Sequence, residues 1–381
     1  MEKIFTALGL MSGTSMDGVD TSIIKSDGLG QFNNVSDKYW EFDLELRKKL
    51  VDLRNEIKTK DNLIEFSNEL KILERELTIF HGEIVNEISS NNNENIDLIG
   101  FHGQTIFHDP KNKISKQLGD GRLLSQLTKK EVVYNFRNND LQNGGQGAPL
   151  TPIFHNLLAN NIFNDFKDSF SNILNIGGIS NITKTVMNKD LTTKKIEAFD
   201  IGPGNCLIDE WIRKNTKNKF DNNGEIAKKG KTDDLILNQA LDNFENRKYQ
   251  GSSSFDTKDF SLSFVRGLSI EDGAATLTDF TGRVIEQGLL SNLIKIKNKM
   301  FKVLICGGGR KNLTLIESIK KRVQKNLIIQ PIDDYGIDGD YVESQAFAFI
   351  AIRSFLGLPI SFPETTGCKE PCTGGVFIKN Y

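Results

Sequence analysis

The chain opens with two mainly apolar blocks that are separated by small and polar residues. Ile4–Leu8 predicts a first strand, and Val19–Lys25 predicts a second. The segment Gly9–Asp20 (GLMSGTSMDGVD), which leads from one to the other, is rich in glycine and hydroxyl side chains. The pattern therefore predicts a β-hairpin with an unusually long tip.

The next regular pattern has the period of a helix. From Leu63 to Ile88, apolar residues recur at steps of three and four positions, which places them on one face of an α-helix. The polar run Asn91–Asn93 is expected to end it. The spacing predicts a single long amphipathic helix.

Further apolar runs predict buried strands, and each of them leads into a polar segment. Ile96–Phe101 precedes the predicted loop His102–Thr105, and Glu131–Tyr134 precedes the glycine-rich segment Asn135–Leu150. Open α/β sheets bind their ligands where strands end. We therefore expect binding residues in both polar segments.

The pattern restarts in the second half of the chain. Ser171–Thr183 predicts a strand, a Gly-Gly turn and a second strand, which echoes the opening hairpin. Lys302–Cys306 predicts a strand that leads into Gly307–Asn312 at the start of a helix, and Gly339–Phe355 predicts a late apolar helix. The Asn- and Lys-rich region 215–250 predicts helical insertions at the surface. This organisation is typical of an α/β protein.

Length and charge limit the classes of function. At 381 residues the chain exceeds the size at which one hydrophobic core keeps growing, so two domains with a cleft between them are expected. Lys and Arg number 48 against 50 Asp and Glu, and no basic stretch is long enough to bind nucleic acid. No apolar run approaches the length of a membrane span, and the N-terminus lacks the features of a signal peptide. The sequence predicts a cytoplasmic protein without nucleic-acid or membrane partners.

Four cysteines are scattered along the chain, which favours free thiols in a reducing compartment. Cys368 and Cys372 have the spacing of half a metal site. No second Cys or His pair has a matching spacing, so the sequence alone disfavours a metal there.

Four glycine clusters stand at the ends of predicted strands: Gly9–Asp20, Asn175–Asn181, Phe199–Asn205 and Ile305–Asn312. Backbone N–H groups with no side chains in the way can surround a phosphate, although one such turn taken alone is more simply a tight hairpin. Glycines at four strand ends favour phosphate binding. Neither a Walker A motif nor GxGxxG is present, which disfavours P-loop and dinucleotide sites.

Several polar residues are candidates for chemistry. Asp140 and Asp200 can each accept a proton, although capping and turn roles are routine for aspartate. Arg137 can clamp an anionic group. Side chains that can orient a polyol are His102, Gln104, Thr105 and His108, although a lone histidine more often has a structural role.

Taken together, these clusters resemble the anhydro-N-acetylmuramic acid kinases of the actin, hexokinase and Hsp70 superfamily. The matching segments are GLMSGTSMDGVD (9–20), FHGQTIFHDP (101–110), LGDG (118–121), FRNNDLQNGGQGAPLTPIFH (136–155), LNIGGISNIT (174–183), FDIGPGN (199–205), DGAATLTDFTG (272–282), CGGGRKN (306–312) and DGDYVESQAFAF (338–349). They occur in order over nearly the whole chain, which makes chance similarity implausible.

The resemblance implies an α/β protein with a two-domain actin-like ATPase fold of the ribonuclease H-like type, with the active site in the interdomain cleft. Residues 1–168 are expected to form the N-terminal lobe, with the first phosphate turn and the sugar-binding loops. Residues 169–381 are expected to form the C-terminal lobe, with the second phosphate turn and the adenosine site. The C-terminal segment is a candidate to return to the first lobe.

The resemblance also implies a set of site residues. Asp200 is the expected catalytic base, and Asp17 is a candidate Mg²⁺ ligand through a water molecule. The residues expected to bind the ATP phosphates are Gly9, Ser12, Gly13, Thr14, Ser15, Met16, Asp17, Gly18, Val19, Asp20, Gly177, Gly178 and Gly202. Those expected at the adenosine are Gly307, Gly308, Gly309 and Asn312, and those expected at the sugar are His102, Gln104, Thr105, Arg137, Gln146 and Glu343.

The implied activity uses ATP and Mg²⁺. Such an enzyme would hydrolytically open the 1,6-anhydro ring of 1,6-anhydro-N-acetylmuramic acid and phosphorylate O6, giving N-acetylmuramic acid 6-phosphate and ADP in peptidoglycan recycling. Asp200 would deprotonate the attacking water. A cytoplasmic homodimer that acts on a small-molecule sugar is expected.

Two alternatives stay open at the level of sequence. A sugar kinase of the same fold that acts on an ordinary hydroxyl would share these motifs, and an actin- or Hsp70-like ATP-switched module would have no small-molecule substrate. One departure concerns the sugar loop: family members often carry Asp-Phe-Arg where this chain has Asn135-Phe136-Arg137. The change removes a carboxylate beside the expected sugar site.

Overall fold

The computed structural model describes residues 3–92, 94–163, 170–187, 193–248, 255–293, 301–323 and 327–379. The chain divides into two compact units. Unit 1 comprises residues 1–158 and 341–381, and unit 2 comprises residues 159–340. The lobe boundary that the sequence predicts, between residues 168 and 169, lies outside the described residues.

Strands and helices alternate along both units. The strands are β1 (Phe5–Ser12), β2 (Gly18–Ser26), β3 (Phe32–Glu41), β4 (Leu98–Asp109), β5 (Ile114–Leu118), β6 (Glu131–Tyr134), β7 (Phe170–Ile176), β8 (Ile179–Met187), β9 (Thr193–Pro203), β10 (Phe301–Cys306), β11 (Leu327–Pro331) and β12 (Val376–Ile378). The helices are α1 (Leu44–Glu56), α2 (Asn62–Glu65), α3 (Ser67–Asn91), α4 (Gly121–Thr128), α5 (Asn138–Gln142), α6 (Pro152–Phe163), α7 (Cys206–Asn215), α8 (Glu225–Lys229), α9 (Asp234–Lys248), α10 (Ile270–Leu293), α11 (Leu313–Arg322), α12 (Val342–Phe355) and α13 (Pro363–Thr366). Among the described helices, none combines the length and hydrophobicity of a membrane span.

The sheet of unit 1 has the order β12-β6-β4-β1-β2-β3, with β5 paired to β4. β1, β2 and β3 are antiparallel neighbours, and β4 and β6 continue the sheet parallel to β1. Leu8 points into a core shared with α1 and α3. Because successive side chains on a strand point to opposite faces, Gly9 faces the other side, where α12 packs. A Cβ at Gly9 would overlap the carbonyl oxygen of Ser344, so α12 lies directly on the backbone of β1.

The sheet of unit 2 has the order β11-β10-β7-β8-β9. β7, β8 and β9 are antiparallel neighbours, and β10 and β11 run parallel to β7. Apolar residues of β7 and β10, such as Leu174 and Ile305, share a core with α7, α10 and α11. When β5 and β12 are left out of the count, the strands of both sheets follow the order 3-2-1-4-5, numbered from the first strand of each unit. This repetition confirms the α/β class and the echo between the two predicted hairpins.

Two predictions of local structure are wrong. The predicted loop His102–Thr105 belongs to β4, which bulges at His102 and continues because β5 pairs with its second half. The helix predicted from Leu63 to Ile88 is broken at Phe66, whose φ and ψ of −92° and 24° separate α2 from α3. The apolar spacing continues across this break, and the periodicity therefore did not reveal it.

Candidate functional site

The tip of the first hairpin is a five-residue turn between β1 and β2 in unit 1. Met16 has a positive φ of 52°, and its amide donates to the carbonyl of Gly13 over 3.3 Å. The Met16 side chain is 2% exposed and packs in the core, which anchors the turn to unit 1. Thr14 and Ser15 are exposed, and Ser15 Oγ donates to Asp17 Oδ1 over 2.6 Å. The turn therefore presents hydroxyl groups and a carboxylate to solvent.

The glycines around this turn have different reasons to be glycine. Gly9 packs against α12, and a Cβ at Gly18 would overlap the carbonyl oxygen of Trp40. A Cβ at Gly13, by contrast, would meet no atom nearer than Ser15 Oγ at 3.8 Å. Packing therefore explains Gly9 and Gly18 but leaves Gly13 as the best candidate for close approach of a ligand.

Three more predicted phosphate-binding residues lie on the strands of the hairpin. Ser12 is buried, with its Oγ 3.4 Å from His81 Nε2, and the side chain of Val19 is in the core. Asp20 pairs with Met11 in the ladder between β1 and β2. Any contact of Val19 with a ligand would have to come from its backbone.

Negative charge accumulates beside the turn. Burial and then the charges of Asp17, Glu41 and Asp20 raise the pKa of Tyr39 well above its usual range. The same field favours a cation, and carboxylate oxygens are the ligands that Mg²⁺ takes in proteins. The residues present therefore fit a magnesium ion near Asp17.

His102 and Arg137, both predicted at the sugar, form one hydrogen-bonded chain. His102 Nδ1 donates to the carbonyl of Gly103 over 2.7 Å, and Arg137 Nη2 donates to His102 Nε2 over 2.9 Å. Arg137 Nη1 donates to the carbonyl of Gly147 over 2.8 Å. Burial, followed by the charge of Arg137, lowers the pKa of His102 to about 3. His102 is thus a neutral acceptor that positions the Arg137 guanidinium.

Gln104 connects β4 to the hairpin tip. Its Nε2 donates to the carbonyl of Gly13 over 3.0 Å. Its side chain is fully buried, and its Oε1 has no hydrogen-bond partner among the described residues. An unsatisfied buried acceptor is costly, so this oxygen is a candidate to receive a hydrogen bond from a ligand.

The other predicted sugar residues are more dispersed in unit 1. Thr105 Oγ1 accepts from Gln117 Nε2 over 3.3 Å on the paired strand β5. The backbone amide of Gln146 donates to the carbonyl of Thr366, and Glu343 lies in the first turn of α12.

An open cavity of ≈ 290 Å³ in unit 1 contains His102 in its wall. Sequence reasoning missed most of the other residues that surround it, which are Glu74, Phe101, Ser115, Lys116, Gln117, Gly119, Asp120, Tyr134, Asn135 and Asn138. Lys116 forms an ion pair with Glu74 at 2.7 Å. Asn135, whose φ is 58°, and Asn138 belong to the polar segment that follows β6. Phe101, Gly119 and Asp120 belong to segments that carry the family resemblance.

Unit 2 brings its three glycine clusters together. The two-residue turn Gly177–Gly178 joins β7 and β8, and its carbonyls accept from the amides of Asn205 and Gly204 over 2.8 and 2.9 Å respectively. A Cβ at Gly204 would overlap the carbonyl oxygen of Gly177. The segment before α7 is therefore folded tightly onto the turn.

The third cluster approaches the same turn from β10. A Cβ at Gly307 would overlap Asn175 Oδ1, and a Cβ at Gly309 would overlap the side chain of Ile176. Gly308 is exposed, and the nearest atom to a Cβ there would be Asn205 Nδ2 at 3.9 Å. Packing therefore explains Gly307 and Gly309, and the bare backbone that unit 2 exposes is that of Gly308 and, in part, of the Gly177–Gly178 turn.

Asp200 lies on β9 opposite Asn181 of β8, close to the Gly-Gly turn. Its Oδ2 accepts from the backbone amide of Phe255 over 2.9 Å, which orients the partly exposed carboxylate. Two residues further on, a Cβ at Gly202 would lie 2.6 Å from the side chain of Val284. Packing against α10 explains this glycine without a ligand.

Asn312 and Arg310 hold the segment Gly307–Asn312 in place. Asn312 Oδ1 accepts from the amide of Leu315 over 3.0 Å and caps α11. Sequence reasoning missed Arg310, which is buried and pairs with Asp333, Asp338 and Asp340. Its partners lie 23 to 30 residues away, so no local pattern identifies it.

Comparisons with known proteins cover the whole chain. Residues 5–380 match the family model described as anhydro-N-acetylmuramic acid kinase. A protein of that name from Pelagibacter ubique strain HTCC1062 is 54% identical over 381 residues, which is 100% of both chains. Another, from Agrobacterium fabrum strain C58, is 36% identical over 385 residues and 100% of both chains.

Similarity to solved structures is weaker. The hexokinase from Schistosoma mansoni complexed with glucose is 10% identical with a TM-score of 0.41, covering 91% of this chain and 85% of that chain. Component A of (R)-2-hydroxyglutaryl-CoA dehydratase from Acidaminococcus fermentans is 14% identical with a TM-score of 0.42, and the match covers 92% of this chain and 98% of that chain.

Proposed function

This chain belongs to the anhydro-N-acetylmuramic acid kinase family, and from that premise we propose that Asp200 is its catalytic base. The family phosphorylates anhydro-N-acetylmuramic acid in cell-wall recycling, and the chain is accordingly a kinase that uses ATP and acts on a small-molecule sugar. The proposal concerns which residues perform the reaction and how the ring opens.

The position of Asp200 is the observation that carries the proposal. Its carboxylate stands on β9 only a few residues before Gly204, whose amide binds the Gly177–Gly178 turn. Bare backbone of this kind can hold phosphate groups, and a base for phosphoryl transfer has to act beside them. Asp140, the other aspartate considered for this role, is a weaker candidate because its carboxylate oxygens already accept hydrogen bonds from Thr366 and Gly147.

Asp200 acts on water rather than on a sugar hydroxyl, because O6 of the substrate is tied up in the anhydro bridge. The carboxylate takes a proton from a water molecule as the water oxygen attacks C1. The C1–O6 bond breaks with its electron pair going to O6, and O6 attacks the γ-phosphorus of ATP as ADP leaves. The products are N-acetylmuramic acid 6-phosphate and ADP.

The two hairpin turns bind the phosphates of ATP, and Gly307–Gly309 with Asn312 binds the adenosine. Support comes from Gly13, which packing does not explain, and from the partly exposed backbone of Gly177 and Gly178. Asp17 would hold Mg²⁺ through a water molecule. The ion, when bound, neutralises negative charge on the transferring phosphoryl group.

The sugar is bound by the residues of unit 1. Arg137, fixed by His102 and Gly147, binds the carboxylate of the substrate's lactyl group through its guanidinium. Gln104 Oε1 accepts a hydrogen bond from the ligand. The other residues proposed to bind the sugar are Thr105, Gln146 and Glu343.

The assembly is proposed to be a homodimer in the cytoplasm. The four free cysteines support a reducing compartment. Light scattering coupled to size-exclusion chromatography measures the mass in solution, and a monomer at micromolar concentration contradicts the dimer.

A coupled ADP-release assay with three sugars tests the substrate. Activity is expected with anhydro-N-acetylmuramic acid and none with N-acetylmuramic acid or glucose. Reaction in ¹⁸O-labelled water is expected to place the label at C1 of the product. Unlabelled product would favour the alternative of a kinase acting on an ordinary hydroxyl.

Asp200→Asn tests the base. Loss of the proton acceptor is expected to lower kcat by about 10²- to 10⁴-fold while ATP still binds. Asp234→Asn, an exposed position in the same unit, makes the same change of charge and should retain full activity. Asp140→Asn should be milder than Asp200→Asn, and the reverse ranking would refute the assignment.

A further inference from the structure

Asp140, Cys368 and Cys372 form a buried cluster in unit 1. One ligand atom of each, a carboxylate oxygen and two sulfurs, lies within 4.8 Å of the other two. The three residues are 1%, 2% and 7% exposed. Asp140 comes from α5, whereas both cysteines follow α13, so the fold alone brings the group together.

The spacing of these atoms suits a tetrahedral cation. Zn²⁺ binds sulfur at about 2.3 Å and carboxylate oxygen at about 2.0–2.2 Å, which separates the two ligand atoms by about 3.5 Å. Cys372 Sγ lies 3.8 Å from Asp140 Oδ1. A small movement of either side chain therefore brings both within bonding distance of one ion.

Neighbouring groups orient each ligand. The Asp140 oxygens accept from Thr366 Oγ1 and from the amide of Gly147, both over 2.6 Å. Ser361 Oγ lies 3.0 Å from Cys372 Sγ. Such outer hydrogen bonds hold ligands in the geometry that a metal requires.

We propose that Cys368, Cys372 and Asp140 bind a thiophilic divalent cation of the Zn²⁺ class, with water in the fourth position. Each sulfur binds as a thiolate, so the two thiols release their protons to solvent as the ion enters. The sequence motif lacked a second Cys or His pair, and the fold supplies a carboxylate in its place.

The cation would act on structure rather than on catalysis. It would connect α5 to the segment after α13. Gly147 links this cluster to Arg137, because its amide donates to Asp140 and its carbonyl accepts from Arg137. Metal binding is therefore expected to stabilise unit 1 and the loop that holds Arg137.

Cobalt spectroscopy on the full chain tests the site. Protein stripped of metal with a chelator and kept under a phosphine reductant is titrated with Co²⁺. One equivalent is expected to give a thiolate charge-transfer band and the visible bands of a tetrahedral ion, and Zn²⁺ is expected to remove them. The matched variants are Cys368→Ser and Cys372→Ser, which should lose the band, and Cys206→Ser, which should keep it.

A stability measurement provides the second readout. Zn²⁺ should raise the Tm of the wild-type protein and leave that of the Cys368→Ser/Cys372→Ser double variant unchanged. Thr366→Val, which removes the hydroxyl that orients Asp140, should weaken Co²⁺ binding by about tenfold.

Wild-type protein that shows no thiolate band at one equivalent of Co²⁺ would overturn the proposal. So would a band that survives in the double cysteine variant, or one that Cys206→Ser abolishes. These outcomes do not depend on kinase activity and leave the assignment of Asp200 untouched.

Discussion

The two units share a strand order but use their first hairpins differently. In unit 1 the tip is five residues long, exposes Thr14 and Ser15 and is tied by side chains such as Gln104. In unit 2 the tip is only Gly177–Gly178, and two further glycine segments are folded against it. The same topology thus presents side-chain groups at one tip and bare backbone at the other. A glycine has to be interpreted from what surrounds it, because packing alone explains Gly9 and Gly202.

The units also differ in histidine content. All four histidines of the sequence lie in unit 1, and none lies between residues 159 and 340. Burial lowers the pKa of His81 to about 4 and that of His102 and His155 to about 3. Protonation of buried histidines should therefore destabilise unit 1 in acid, whereas unit 2 has no histidine through which acid could act.

The largest expected effect follows from these buried histidines. Below pH 6.5 the unfolded chain binds protons that the folded chain excludes, so stability falls as the pH falls toward the folded pKa values. Each histidine should cost about 2 kcal/mol between pH 8 and pH 5. Urea unfolding across this range, with hydrogen exchange to locate the loss, should show unit 1 opening first. His155→Phe should reduce the loss by one histidine's share; equal loss in both units would break the contrast.

The second prediction compares one glycine from each tip. Gly204→Ala should lower the free energy of unfolding by about 1–3 kcal/mol, because its Cβ overlaps the Gly177 carbonyl. Gly13→Ala has room for its Cβ and should change stability by less than about 0.5 kcal/mol. Denaturant unfolding and the KM for ATP are the measurements. If the Gly13→Ala variant is stable and its KM for ATP is normal, the proposal that the first tip binds phosphate is refuted.

Arg137→Gln should have the next largest effect. Loss of a charged hydrogen bond to the sugar carboxylate is expected to cost about 1.5–3 kcal/mol, or about ten- to a hundredfold in kcat/KM. The loss should appear with the anhydro-sugar, while the KM for ATP stays normal. Arg122→Gln, on α4 of the same unit, is the control. An effect confined to ATP would move Arg137 from the sugar to the nucleotide.

Ser15→Ala should have the smallest effect. It removes the hydroxyl that donates to Asp17 and leaves the backbone of the turn intact. Loss of one such hydrogen bond is worth about 1 kcal/mol, so kcat/KM for ATP should fall by less than about tenfold. A much larger loss in steady-state kinetics would show that side chains, rather than backbone, dominate phosphate binding at this tip.

Sequence reasoning succeeded where a signal was local. Alternation and glycine placed both hairpins. The roles expected for His102 and Asp200 stay predictions. Sequence reasoning failed in the middle of β4, because Gly103, which follows the bulge at His102 and has a φ of 71°, resembles a loop glycine. The grouping of Asp140 with Cys372 was beyond reach, because their contact spans 232 residues and depends on the finished fold.

The discontinuity of unit 1 has a consequence for synthesis on the ribosome. Helix α12 packs on Gly9 and Gly100, yet it is translated only after all of unit 2. One face of the first sheet therefore stays uncovered while the middle of the chain is made, whereas unit 2 can fold as one continuous stretch. The nascent N-terminal segment is then the part most in need of a chaperone, and its folding is completed last.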